Sequence, residues 1–303
     1  MSDEGILIVA GSTASGKTAL ALDLAREFDA EIVGADSRQI YRGMPIGTAA
    51  PTPAQRAEVP HHLVGFLAPE ERYSAARYAS EALEAIRAIR RRGKRVIVAG
   101  GTGFYIRALT GGVALAPQYD EQLRNRLARE ATLHPSEFLY AWLERRDPAR
   151  ACVLGPNDTY RVVRALEIAL AAPAATLRDA PMRTLATQGI PWQLVFLDLP
   201  WQMVDERIAR RTRQMIETGL IDEAERIGSN AVAANAVGYP QAWAYLRGWS
   251  TMRELSGALE RATRRYARRQ RAWFRSEPAT RWLPPERVRS LAREKLGWSA
   301  NRE

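Results

Sequence analysis

Gly11, Ser12, Thr13, Ala14, Ser15, Gly16, Lys17 and Thr18 read GSTASGKT and match the spacing G-x-x-x-x-G-K-[ST]. The chemistry of that spacing is a grip on a diphosphate or triphosphate. Its glycines let backbone N–H groups curl round phosphate oxygens that a β-carbon would obstruct. A helix starting at the loop adds the positive end of its dipole. Lys17 supplies a mobile positive charge, and the Thr18 hydroxyl is suited to ligate Mg²⁺. What is attached to the phosphates is left open, because a nucleoside triphosphate and an organic diphosphate fit the same cradle.

Three further groups have chemical potential. Asp36 closes the apolar stretch Glu31–Ala35, where a carboxylate serves as a general base or metal-shell ligand; the competing role is an Asx turn. Gly100–Gly101–Thr102–Gly103 follows another apolar stretch, so Thr102 is expected to face a substrate at the same sheet edge. Residues 261–275 hold seven arginines and no acid. Charge of that density repels itself when merely solvated and makes better sense against a phosphate backbone. Tyr160–Arg164 (YRVVR) is a second basic element. His61, His62 and His134 give no metal-ligand spacing, and Cys152 reads as a packing residue.

The elements that must position these residues follow from hydrophobic pattern. Ile6–Ala10, Glu31–Ala35, Arg95–Ala99 and Gln193–Leu199 read as buried strands, and a helix is expected across Ala75–Arg92, stopped by Gly93. Residues 38–69 are rich in Pro and Gly and read as irregular. From about 115 to 190 only helical stretches occur, divided by Pro117, Pro135, Pro148, Pro156 and Pro173, and after 199 the chain reads as helical to its end. Buried strands alternating with helices predict an α/β fold, a P-loop NTPase-like parallel sheet core with a helical insertion domain. The expected division is 1–114 with 191–303 as core and 115–190 as insertion.

Composition narrows the class. The chain has 303 residues and a net charge of +10, with 41 arginines against three lysines. That excess favours a polyanionic partner. One cysteine excludes an internal disulfide framework and fits the reducing cytosol. The acidic start and short apolar run that follows resemble neither a signal nor a transit peptide, and no stretch has the apolar length of a membrane span. The expectation is a cytoplasmic protein without membrane association.

Taken in order, these segments resemble the tRNA dimethylallyltransferases, the bacterial tRNA isopentenyltransferase family, over nearly the whole chain. The blocks are GSTASGKT, ADSRQIYRGMPIGTA (35–49), PHHL (60–63), VAGGTGFYI (98–106), PNDTYRVVRALE (156–167), VGYPQAWAYLRG (237–248) and TRRYARRQRAWFR (263–275). Ser12, Pro45 and Pro240 depart from the family's usual Pro, Asp, and Lys or Arg. The resemblance implies transfer of a dimethylallyl group from dimethylallyl diphosphate to N6 of the adenosine just 3′ of the anticodon, in tRNAs reading codons that begin with U. It implies residues 11–18 as the diphosphate site, Mg²⁺ as cofactor, Asp36 as general base and Thr102 as an adenine contact. It assigns tRNA contact to Asp36, Ser37, Arg38, Gln39, Thr102, Arg124, to Tyr160, Arg161, Val162, Val163 and Arg164, and to Asn235, Ala236, Val237, Gly238, Tyr239 and Pro240. Arg264, Arg268 and Arg271 of the basic run are expected to meet tRNA phosphates. The insertion is expected to clasp the anticodon stem-loop, and the protein to act as a monomer.

The residues by themselves leave two other uses open. A small-molecule kinase would use Asp36 to activate a hydroxyl but leaves the basic helix idle. A nucleotide-gated RNA-binding protein explains the charge but leaves Asp36 and Thr102 unused.

Overall fold

The computed structural model describes residues 5–112, 121–171 and 183–300. Among them six strands form one sheet: β1 (Ile6–Ala10), β2 (Ala30–Gly34), β3 (His61–His62), β4 (Arg95–Gly100), β5 (Trp192–Leu197) and β6 (Thr280–Leu283). Their order is β3–β2–β4–β1–β5–β6, and every neighbouring pair is parallel. β1 lies between β4 and β5 with all five residues buried. Covered faces on both sides explain why the strand is a continuous apolar run without alternation.

Helices carry the chain between strands. α1 (Lys17–Phe28) links β1 to β2; α2 (Pro45–Thr48) and α3 (Pro53–Glu58) lie between β2 and β3; α4 (Ala75–Arg91) precedes β4; α5 (Gly103–Thr110) follows it. α4 begins where the Ser74 side chain accepts the Arg77 N–H at 3.1 Å. It buries Ala75, Tyr78, Ala79, Ala82, Leu83, Ile86 and Ile89, the stripe of an amphipathic helix, and Gly93 takes φ +73° just beyond its end. A parallel sheet whose first strand runs through a glycine loop into a helix is the P-loop NTPase-like arrangement.

The chain divides into two compact units, residues 1–113 with 183–303, and residues 114–182. The second contains α6 (Glu121–Leu133), α7 (Ser136–Arg146), α8 (Pro148–Ala151) and α9 (Thr159–Ala171). Leu127, Leu139, Leu143, Val162 and Leu166 form its core. The first unit resumes at 183 rather than 191, since Leu185 is buried there and its N–H donates to Leu109 O at 2.8 Å. α10 (Trp201–Glu217), α11 (Leu220–Ile227), α12 (Tyr239–Leu246), α13 (Met252–Arg275) and α14 (Pro285–Leu296) complete that unit. Phe28 of α1 meets Trp298 edge-on, with centroids 5.5 Å apart, within the core that also holds Leu7, Val9, Ile97 and Val195. Among the described residues no helix is long and apolar enough to cross a membrane.

Several local expectations need correction. Residues 280–283 form a strand rather than helix; TRWL is too short to show a period and takes its conformation from pairing with β5. Residues 38–69 contain two short helices and a strand: α2 is held by distant Glu223, α3 starts on a local Thr52–Gln55 capping box, and β3 forms by pairing with β2. Cys152 is exposed; Ala151 beside it fills the core. His62, to which the sequence assigns no role, has its Nε2 2.7 Å from Glu31 Oε2, a carboxylate that also takes Arg92. Pro117 and Pro173 lie outside the described residues.

Candidate functional site

The phosphate loop leaves β1 at Ala10 and is held in shape from inside and behind. Ser15 N–H donates to Ser12 O at 3.1 Å, and Ala14 and Gly16 take φ of +63° and +86°. A β-carbon on Gly11 would lie 2.5 Å from Ser15 Oγ and would force that side chain to move. Ser12 and Ser15 are buried within the loop, and the Ser15 hydroxyl has no hydrogen-bond partner among the described residues. Arg207 of α10 donates to Ser15 O at 3.1 Å. Gln270 of α13 accepts the Thr13 N–H at 2.8 Å and donates to Gly101 O at 3.0 Å. Gln270 therefore ties the phosphate loop to the turn after β4.

A cavity of about 170 Å³ opens beside the loop. Thr13, Lys17 and Thr18 line it from the loop, Asp36, Arg38 and Gln39 from the turn after β2, and Gly47–Ala49 from the end of α2. Arg211, Asn235–Val237, Tyr266, Arg269 and Gln270 line its remaining walls. Burial pulls the Lys17 ammonium down to about 8; Asp36 opposes this shift and Arg211 adds to it. Burial also holds Arg211 below its ordinary value against the pull of Asp36, while burial and Asp36 push the Tyr266 phenol well up. Two half-buried cations, Lys17 and Arg211, share the one carboxylate of the described lining. An anion with several charges is the ligand that such an imbalance stabilises.

Asp36 makes the turn weighed for it and also faces the cavity. Its Oδ1 accepts the Arg38 N–H at 2.9 Å, an Asx turn, and the residue still lines the cavity. Thr102 is placed otherwise than expected. Its hydroxyl accepts the Ser37 N–H at 2.9 Å and it is absent from the lining, so it positions the Asp36–Ser37 turn. The nearby glycines make this junction possible, since a β-carbon on Gly100 would lie 2.1 Å from Ala35 O. Gln39 donates to Thr48 O and Ala49 O at 3.1 and 3.0 Å, fixing α2 over the site. The α2 turn is anchored from below by buried Glu223, which accepts Ile46 N–H at 2.9 Å, Gly47 N–H at 2.7 Å and Tyr239 O–H at 2.8 Å.

Burial and pairing bear on the other expected contacts. Tyr239 is 0 % exposed with its hydroxyl on Glu223, and Gly238 is buried beside it, so neither side offers a surface to RNA. Asn235, Ala236 and Val237 do line the cavity, and Pro240 is exposed in the first turn of α12, where a missing N–H costs nothing. In the second unit Val162 is 0 % exposed in the core. Arg124 and Arg164 both reach the buried carboxylate of Glu167, at 3.4 and 2.6 Å, while Tyr160 and Arg161 are exposed and Val163 is half-buried. In the basic run, Arg264 pairs with Asp205 and Glu260, Arg271 pairs with Asp198 at 2.8 Å, and Arg268 lies over the Trp201 ring. The run has no acid of its own, but acids outside it pair with two of its seven arginines, Arg264 and Arg271. Arg211, Arg269 and Gln270 also line the site, and nothing local in the sequence distinguishes them from their neighbours.

Comparison with known proteins shows the family and the fold. The IPP transferase family model matches residues 39–277. The tRNA dimethylallyltransferase of Anaeromyxobacter sp. (strain K) is 45% identical over 298 residues, 96% of this chain and 97% of that protein. The tRNA dimethylallyltransferase 1 of Pelobacter propionicus is 40% identical over 294 residues, 95% of each. The crystal structure of the Bacillus halodurans tRNA isopentenylpyrophosphate transferase superposes with a TM-score of 0.68 at 32% identity, covering 97% of this chain and 96% of that one. A eukaryotic dimethylallyltransferase acting on tRNA shares the fold, with a TM-score of 0.75 at 24% identity over 93% of this chain and 74% of that one. On sequence, fold and loop together, the chain belongs to the IPP transferase family of tRNA prenyltransferases.

Proposed function

We propose that this chain transfers a dimethylallyl group from dimethylallyl diphosphate to N6 of the adenosine immediately 3′ of the anticodon. The tRNAs are those reading codons that begin with U, and the product is N6-isopentenyladenosine. The observation that carries the reading is the meeting of Lys17, Arg211 and the lone carboxylate Asp36 in one cavity beside the phosphate loop. The names of relatives over nearly full length support tRNA as acceptor and dimethylallyl as the group transferred.

The adenine amino group is a weak nucleophile, because its lone pair is delocalised into the ring. Transfer therefore depends on making the allylic carbon electrophilic. As the N6–carbon bond forms, the carbon–oxygen bond breaks and its electron pair leaves on diphosphate. Lys17, Arg211 and the loop amides stabilise that growing charge. The N6 proton passes to the Asp36 carboxylate, which the Arg38 N–H and the Thr102–Ser37 contact hold in place. The adenine must leave its stack to reach this enclosed site.

A magnesium ion fits the residues present. The lining offers the Thr18 hydroxyl and one carboxylate, Asp36, a sparse donor set suited to an ion held largely by substrate phosphates and water. When bound, the ion neutralises diphosphate charge. Residues 114–182 are proposed to hold the anticodon stem-loop through exposed Tyr160 and Arg161, and the protein to act as a cytoplasmic monomer.

Incubating the protein with unmodified bulk tRNA and either labelled dimethylallyl diphosphate or γ-labelled ATP tests the reading. Label from the prenyl donor should enter RNA as N6-isopentenyladenosine. Label transfer from ATP alone would replace prenyl transfer with a kinase activity.

A further inference from the structure

A groove of about 590 Å³ lies beside the transfer cavity and shares one wall residue with it, Asn235. Trp249 is 73 % exposed, more than any other large apolar side chain described in its unit. Its backbone is nevertheless fixed. Trp249 N–H donates to Ala244 O at 2.9 Å and Gly248 N–H to Tyr245 O at 2.9 Å, with Gly248 at φ +72°, a Schellman closure of α12. In that motif the residue at this position commonly packs back on the helix; here Ala244 is too small to cover an indole. Arg247 lies between two rings, 5.6 Å from the Trp243 centroid and 5.0 Å from that of Trp249. The groove contains Arg72 as well, and none of its lining residues is acidic.

We propose that Trp249 and Arg247 form a stacking platform for an unpaired nucleotide of the RNA substrate, outside the transfer cavity. An exposed indole on a fixed turn, with a guanidinium over its ring, suits a nucleotide whose base stacks on this cation–aromatic pair and whose phosphates meet Arg72 and Arg247. Ring stacking tolerates any base, so the platform adds affinity without reading sequence. An acid-free, doubly cationic lining is complementary to a phosphodiester and not to a basic or neutral peptide. Continuity at Asn235 places the platform where a strand entering the cavity would pass. The proposal rests on tRNA being the substrate.

The test measures filter-binding affinity for unmodified tRNA, with transfer of labelled donor followed in parallel, for wild type, Trp249→Ala, Trp249→Phe and Arg247→Gln. Trp249→Ala is expected to weaken binding about 5- to 150-fold, the range for losing one stacked base. Trp249→Phe should recover most of that loss, and the tRNA concentration giving half-maximal transfer should rise in step with the dissociation constant. Wild-type affinity in Trp249→Ala, with wild type prenylating tRNA, overturns the platform, leaves the transfer reading intact and points to a protein occupant. Trp249-dependent RNA binding without label transfer supports the platform and overturns the transfer reading. Failure of wild type to bind RNA overturns both. Should the alanine variant melt early, Arg247→Gln decides, with a severalfold loss expected and wild-type affinity overturning the proposal.

Discussion

Gln270 and Thr13 stand 257 residues apart in the chain and are joined by a 2.8 Å hydrogen bond between the Gln270 Oε1 and the Thr13 N–H. The other end of the same amide donates to Gly101 O. One buried side chain thus sets the spacing between the loop that grips phosphate and the turn that carries Thr102. Gln270→Leu leaves two buried backbone groups without partners, a cost of about 1–3 kcal/mol apiece. Thermal melting should show this loss. Gln270→Glu keeps the acceptor for Thr13 but places negative charge at the loop, so diphosphate affinity should fall further than in the leucine variant. A leucine variant with unchanged melting would show the bridge to be incidental.

Glu223 carries a comparable burden under α2. Three donors converge on a carboxylate that is 0 % exposed. Glu223→Gln offers a single oxygen, and its amide N–H₂ points at another donor, so at least one hydrogen bond is replaced by repulsion. A loss of about 1–3 kcal/mol is expected from denaturant unfolding, with Glu223→Ala worse. Equal stability of both variants and wild type would contradict this anchoring.

The phosphate loop is readable in the sequence because its chemistry is local, with eight consecutive residues between a strand and a helix. Asp36 is readable for a similar reason, as a carboxylate at a strand end. Arg211 and Gln270 are not, because each gains its role from packing against segments far away in sequence. Arg264 and Arg271 show the opposite case, since the run alone does not reveal that Asp205, Glu260 and Asp198 pair with them. Thr102 lies on the expected sheet edge, but only the fold shows its hydroxyl turned to Ser37.

Pairing also changes which arginines should govern salt dependence. Arg38 and Arg269 line the cavity, whereas Arg264 and Arg271 are held by acids. Each lost phosphate contact reduces the slope of log K against log salt by about 0.7–0.9. Arg38→Gln and Arg269→Gln should each flatten the tRNA binding slope by that amount. Arg264→Gln and Arg271→Gln should chiefly lower the melting temperature. A slope that responds only to the second pair would reverse the assignment.

Lys17 predicts a proton linkage. Its folded-state value is about 8 against the ordinary 10.5, mainly through burial. Between those values the unfolded chain holds a proton that the folded chain has released, so this group alone makes stability rise with pH across the window. A bound diphosphate favours the charged ammonium and should draw a proton in, and affinity should fall as pH rises through 8. Calorimetry at about pH 9 in buffers of different ionisation enthalpy should show uptake approaching about one proton, absent in Lys17→Met. Equal uptake by both proteins would place the titration elsewhere.

Single-turnover transfer of labelled dimethylallyl from its diphosphate to unmodified tRNA, for wild type and Asp36→Asn, tests the central claim most directly. Asparagine can keep the Oδ1 contact with the Arg38 N–H but cannot accept the N6 proton. Wild type should place the label on N6 of adenosine, and the variant should be slower by about 10²–10⁴ with tRNA and diphosphate affinities retained. Wild-type rates in Asp36→Asn, or no label in RNA with wild type, would contradict the account.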